Sequence, residues 1–130
     1  MTETHYHPSE GELEILQILW QHEPATVRFV HEQLSKSRDV GYTTTLKQIQ
    51  RLHEKGILTR TEDGKTHLYS TTVPESEVQQ TLFQKMVNNV FKGSAIDLAM
   101  HALGSSNPSA EELRELEQLL RHMKKSKKDE

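Results

Sequence analysis

The stretch YTTTLKQIQRLHEKG, Tyr42 to Gly56, decides how this chain folds. At about 100° per residue, Tyr42, Leu46, Ile49, Leu52 and His53 fall on one side of a helix and predict a buried face. Thr44, Lys47, Gln48, Arg51 and Lys55 fall on the other side, a row of donors on long stems. Gly56 is a natural stop, because glycine readily takes the left-handed conformation that closes a helix. Three successive threonines weaken a helix interior. Their place at the helix start makes sense if that end is a contact surface and not a packing surface.

Upstream, Ser9-Glu10-Gly11-Glu12 has the S-x-x-E form of a capping box. It opens an apolar helix through Leu13, Ile15, Leu16, Ile18, Leu19 and Trp20 to about His22, and Pro24 stops it. Thr26 caps a second helix with Val27, Val30 and Leu34 on one side. Ser35 to Gly41 is a polar loop. Downstream of Gly56 the apolar period changes. Ile57 to Thr61 and Thr66 to Thr71 are rich in strand formers, and Asp63-Gly64 between them is a strong hairpin signal. Helix, helix, helix, hairpin is the order of a winged helix-turn-helix. The expected class is therefore mostly α with a small β-hairpin wing, and the expected winged-helix domain is residues 1–73.

Pro74 ends that unit. Residues 74–130 read as a second, helical domain, with helices expected over Glu75–Phe91, over Ser94–Leu103, and from a second capping box at Ser109 to Glu112. Their apolar residues are Leu82, Val90 and Phe91, then Ile96, Met100 and Leu103, then Leu113, Leu116, Leu119 and Leu120. The last set keeps the narrow three-and-four spacing of a helix–helix seam. Lys124 to Glu130 reads as a charged, frayed tail.

Composition narrows the function. The chain has 130 residues, 33% hydrophobic and only 5% aromatic, which is lean for a self-sufficient core. A second copy would bury its apolar stripes. There is no cysteine, so disulfides and thiolate metal or redox chemistry are excluded. No apolar run is long enough to span a bilayer and the start MTETHYHPSE lacks signal-peptide character, which leads us to expect a cytoplasmic protein. The eight histidines, among them His5 and His7 in a flexible N-terminus, show no zinc-type spacing, so no metal or other cofactor is expected. Gly-rich phosphate loops, nucleophile elbows and other catalytic groupings are missing, so an enzyme is not expected.

The net charge of −3 gives no hint of nucleic acid, so a DNA surface must come from local placement. From Tyr42 to Thr72, Lys47, Arg51, Lys55, Arg60 and Lys65 outnumber Glu54, Glu62 and Asp63. Arg and Lys reach guanine O6 and N7, Gln pairs with adenine, and Thr offers a methyl to thymine or a hydroxyl to phosphate. Hydroxyls at Thr43 to Thr45 beside the free N–H groups of the helix start suit a phosphate. By itself such a stripe is an ordinary solvated helix face. The third-helix position and the basic hairpin favour docking in the major groove of double-stranded DNA. A winged-helix protein-interaction module, or a metal-responsive regulator, is the alternative, since fold does not fix function.

Several segments are familiar together: ILW at Ile18–Trp20, PATV at Pro24–Val27, YTT at Tyr42–Thr44, QRLHEKG at Gln50–Gly56 and VFKGS at Val90–Ser94. With their spacing, from roughly Pro8 to His122, the chain resembles the penicillinase repressor family of the BlaI, MecI and CopY type. The resemblance implies a homodimeric transcriptional repressor on a dyad-symmetric operator. It implies Thr43, Thr44, Lys47, Gln48 and Arg51 as DNA contacts, and Lys65 in the wing as a phosphate contact. It implies that the apolar residues Leu82 to Leu120 named above clasp the partner subunit. CopY-type members sense metal through C-terminal cysteines, which this chain lacks. The antibiotic-responsive members are inactivated by a membrane-bound sensor protease that cuts an Asn-Phe bond. The matching place here is His101-Ala102, where that pair is absent.

Overall fold

The computed structural model describes residues 6–129. His5 and the residues before it, and Glu130, lie outside the described residues. The elements are α1 (Glu10–His22), α2 (Val27–Ser35), α3 (Tyr42–Glu54), β1 (Leu58–Asp63), β2 (Thr66–Thr71), α4 (Glu75–Asn89), α5 (Ala95–Ser105) and α6 (Ala110–Lys128). They divide into two compact units, the first through Gln84 and the second from Lys85.

Local chemistry sets the helix ends. At α1 the Glu12 N–H donates to Ser9 Oγ at 3.1 Å, and the Ser9 N–H donates to Glu12 Oε1 at 3.0 Å, so the capping box is complete. At α2 the Phe29 N–H donates to Thr26 Oγ1 at 3.1 Å. α3 closes as a Schellman motif: the Gly56 N–H donates to the His53 carbonyl at 3.0 Å and the Ile57 N–H to the Leu52 carbonyl at 2.9 Å. Gly56 has φ +81°, as that motif requires.

The first unit is built around Ile15, Leu16 and Leu19 of α1, Val30 and Leu34 of α2, and Ile49 and Leu52 of α3, none more than 2% exposed. Burying each such side chain contributes about 1.5–3 kcal/mol. β1 and β2 pair antiparallel from Leu58↔Thr71 to Asp63↔Thr66. Gly64 (φ +64°) and Lys65 form the two-residue turn, with the glycine at the first central position as a type II′ turn needs.

The wing is tied back at three places. Ala25 and Tyr69 exchange N–H···O bonds of 3.0 and 2.8 Å, which adds the α1–α2 linker as a third strand-like edge. Glu23 accepts from the Thr71 N–H at 2.7 Å and from the Thr71 hydroxyl at 3.0 Å. The Trp20 indole N–H donates to the Val73 carbonyl at 3.0 Å. Val78 and, partly buried, Leu82 of α4 pack on this same core.

The second unit holds the end of α4, then α5 and α6. α4 stops at Asn89, before the expected Phe91, because Lys92 (φ 53°) and Gly93 (φ 90°) turn the chain out of the helix. Ser94 caps α5, which runs on to Ser105, past the expected Leu103. Ser109 and Glu112 form the second capping box, at 3.1 and 2.9 Å. The tail expected to fray is helical to Lys128. Its last turn carries Lys125, Lys127 and Lys128, whose charges favour a helix C-terminus. Much apolar surface stays uncovered: Val90 is 60% exposed, Ile96 68%, Met100 66%, Leu119 53% and Leu120 54%. Among the described residues, no helix is long and apolar enough to cross a membrane.

Candidate nucleic-acid interface

α3 is held from behind by Thr45, Ile49 and Leu52, which are fully buried. Opposite them Thr43, Thr44, Lys47, Gln50 and Arg51 are exposed. The buried arc is rotated from the expected one. Tyr42, expected to be buried, is 42% exposed, while Leu46 and His53 are half-buried. Thr45, expected to offer its hydroxyl to phosphate, is instead a core residue: its hydroxyl donates to the Gly41 carbonyl at 3.4 Å and lies 3.3 Å from His31 Nδ1. Two threonines at the helix start face outward and the third locks the helix to α2.

Gln48 also sits differently from its neighbours. A Cβ placed on Gly11 would meet the Gln48 Nε2 atom at 2.8 Å, so the amide lies against the α1 backbone. Gly11 is what allows that approach. Gln48 Oε1 is buried there without a hydrogen-bond partner among the described residues. Gln50, which was not among the expected contacts, is exposed on the same strip, beside Thr43 and Lys47. Recentring the helical wheel on Thr45, the middle of the buried arc, would have found it.

The α3 N-cap is Gly41, with no side-chain cap bond and no acidic residue in the first turn. The N-terminal partial charge is therefore not offset locally. Lys65 is exposed at the tip of the wing and Arg60 on β1.

Two other cations are occupied. Lys55 Nζ is 2.9 Å from Glu12 Oε2, and Arg38 reaches Glu14 at 3.0 Å. No carboxylate pairs with Lys47, Arg51, Arg60 or Lys65 among the described residues. Burial pushes the Glu12 carboxyl upward, but the Lys55 ammonium, the Ser9 N–H and the Tyr6 hydroxyl together hold it below the ordinary value. Burial first, and the Glu12 charge second, push the Tyr6 hydroxyl well above the ordinary phenol value. The histidines are spread over the fold and mostly meet rings: His22 lies 5.0 Å from Phe29, and His53 and His67 each 6.3 Å from Tyr69.

A three-helix core with a tied hairpin and a cation-bearing third helix defines a winged-helix transcription regulator. The chain belongs to the penicillinase repressor family, whose model matches residues 8–122, and it is a DNA-binding transcriptional repressor of that kind. It is 27% identical over 121 residues to the penicillinase repressor of Bacillus licheniformis, covering 93% of this chain and 94% of that protein. It is 29% identical over 115 residues to the methicillin resistance regulatory protein MecI of Mammaliicoccus sciuri, covering 88% and 94%. Its fold is similar to that of monomeric BlaI of Bacillus licheniformis in complex with the blaP half-operator. There the TM-score is 0.51 and the identity 26%, over 58% of this chain and 93% of that one.

Proposed function

We propose that the chain represses transcription as a homodimer on a dyad-symmetric operator, each subunit laying α3 in the major groove of one half-site. The observation that carries this is the exposed Thr43–Thr44–Lys47–Gln50–Arg51 strip, backed by a fully buried Thr45–Ile49–Leu52 face. In this reading Lys47 and Arg51 reach base edges, Thr43 and Thr44 contact phosphate or thymine methyl, and Lys65 contacts phosphate from the wing. Gln48 steadies α3 against α1. The similarity to a repressor solved with its half-operator supports the docking mode.

The apolar faces of α5 and α6, with the turn before α5, supply the dimer contact in this reading. Val90, Phe91, Ile96, Met100, Leu103, Leu113, Leu116, Leu119 and Leu120 line it, while Leu82 is used in the first unit's own core. An operator-bound repressor works in the cytoplasm. Relief by a membrane-bound sensor protease rests on the family alone. His101 and Ala102 are exposed but lie inside α5, so a cut there would have to open that helix first.

The test is an anisotropy titration of a duplex from the promoter of the chain's own gene against a scrambled duplex, at two salt concentrations. Promoter-selective, salt-sensitive binding is expected. Arg51→Ala should lose about 1–3 kcal/mol on the promoter duplex and much of its selectivity. Lys65→Ala should weaken both duplexes alike. Equal, salt-insensitive binding to both would favour a protein-interaction role for the strip.

A further inference from the structure

The repressor reading leaves one cluster unused. It lies where α2 meets the start of α3, beside the exposed strip. The Arg28 guanidinium sits over the Tyr42 ring, 5.9 Å from its centroid. His31, one turn further along α2, meets the same ring edge-on at 5.4 Å. His31 is itself fixed at both ring nitrogens, with Nδ1 3.3 Å from Thr45 Oγ1 and Nε2 3.4 Å from Ser35 Oγ. Thr45 is wholly buried, so the stack has a foundation in the core.

We propose that Arg28, laid on the Tyr42 ring, grips a DNA backbone phosphate on the flank of α3. The proposal rests on the repressor reading and extends its contact surface to α2. Three features carry it. Arg28 is exposed and, among the described residues, no carboxylate pairs with it, whereas Arg38 and Lys55 are both paired. A guanidinium held over an aromatic ring by a cation–π contact keeps its N–H groups free for a bidentate acceptor, and phosphate is that acceptor. The platform is anchored, because His31 ties it to Thr45 on the buried side of α3. Less side-chain freedom is therefore lost on binding than for a lone surface arginine. Tyr42 is the positioning residue, and its exposure follows from this use.

A phosphate contact acts on any sequence, so both the promoter duplex and the scrambled duplex are suitable probes. The full chain is titrated with each across a salt series. Arg28→Ala should weaken binding to both by about tenfold per bound subunit and reduce the slope of log affinity against log salt by about one per subunit, hence about two for a dimer. Arg28→Lys should keep the slope but recover only part of the affinity. Tyr42→Phe retains the ring and should lose much less affinity than Tyr42→Ala. Tyr42→Ala should lose as much as Arg28→Ala, with little further loss in the double variant. An unchanged salt slope in Arg28→Ala, or independent additive losses from the two alanines, would overturn the assignment while the parent still binds. If the parent binds neither duplex, the repressor reading falls first, and this proposal with it.

Discussion

Glu12 caps α1 through Ser9, pairs with Lys55 at the end of α3 and stands beside the Tyr6 hydroxyl. Its carboxyl is held below the ordinary value, so the folded state prefers it ionised. The stabilisation is present above the unfolded carboxyl's titration and is lost as pH falls through the depressed folded value. Glu12→Gln should lower stability at neutral pH by about 1 kcal/mol, since Lys55 is half exposed and the amide retains part of the cap. In denaturant melts the difference from the parent should close as the pH is lowered through the depressed folded value. A constant difference across that range would show that the charge does not matter. The cap itself was legible in the sequence, because S-x-x-E has a fixed local geometry. The ion pair to Lys55 was not, because it joins residues far apart in the chain. The half-burial of Gln48 was not legible for a related reason: a wheel gives its angle but cannot show that Gly11, on another helix, leaves room for its amide.

At the level of elements, three helix starts, two helix ends and the hairpin were readable from short-range signals: Ser9, Thr26 and Ser109, then Pro24 and Gly56, then Asp63-Gly64. The rotation of α3 was not. Thr45 looks like a surface residue by composition, yet it faces α2 and gains a partner in His31. The third edge of the wing also escaped, since a single Ala25–Tyr69 pair leaves no periodic trace. The end of α3 permits a direct test. Gly56 has φ +81° and nothing lies within 4 Å of a Cβ built there. Gly56→Ala should therefore cost about 1–2 kcal/mol through backbone conformation alone. A smaller cost, measured by denaturant melts, would mean that the α3–β1 junction relaxes to negative φ.

For the molecule as a whole, the lean composition of 33% hydrophobic residues has a clear distribution. The first unit uses its apolar residues for a core, and the second leaves most of its own in solvent. The variant Leu119→Glu with Leu120→Glu should sediment as a monomer. Its promoter affinity should fall by about a hundredfold, because linked half-site contacts reinforce each other. A persistent dimer would move the seam off α6. One more consequence concerns synthesis. Because Ala25 and Tyr69 bond to each other, α2, α3 and β1 all lie within the loop that this pair closes. Closing it costs chain entropy, which the packing of α1, α2 and α3 into one core offsets. As the polypeptide leaves the ribosome, the core that backs α3 stays incomplete until Tyr69 has emerged. A prematurely terminated product ending inside the hairpin would thus carry the full α3 sequence, yet could not compete with intact copies for operator.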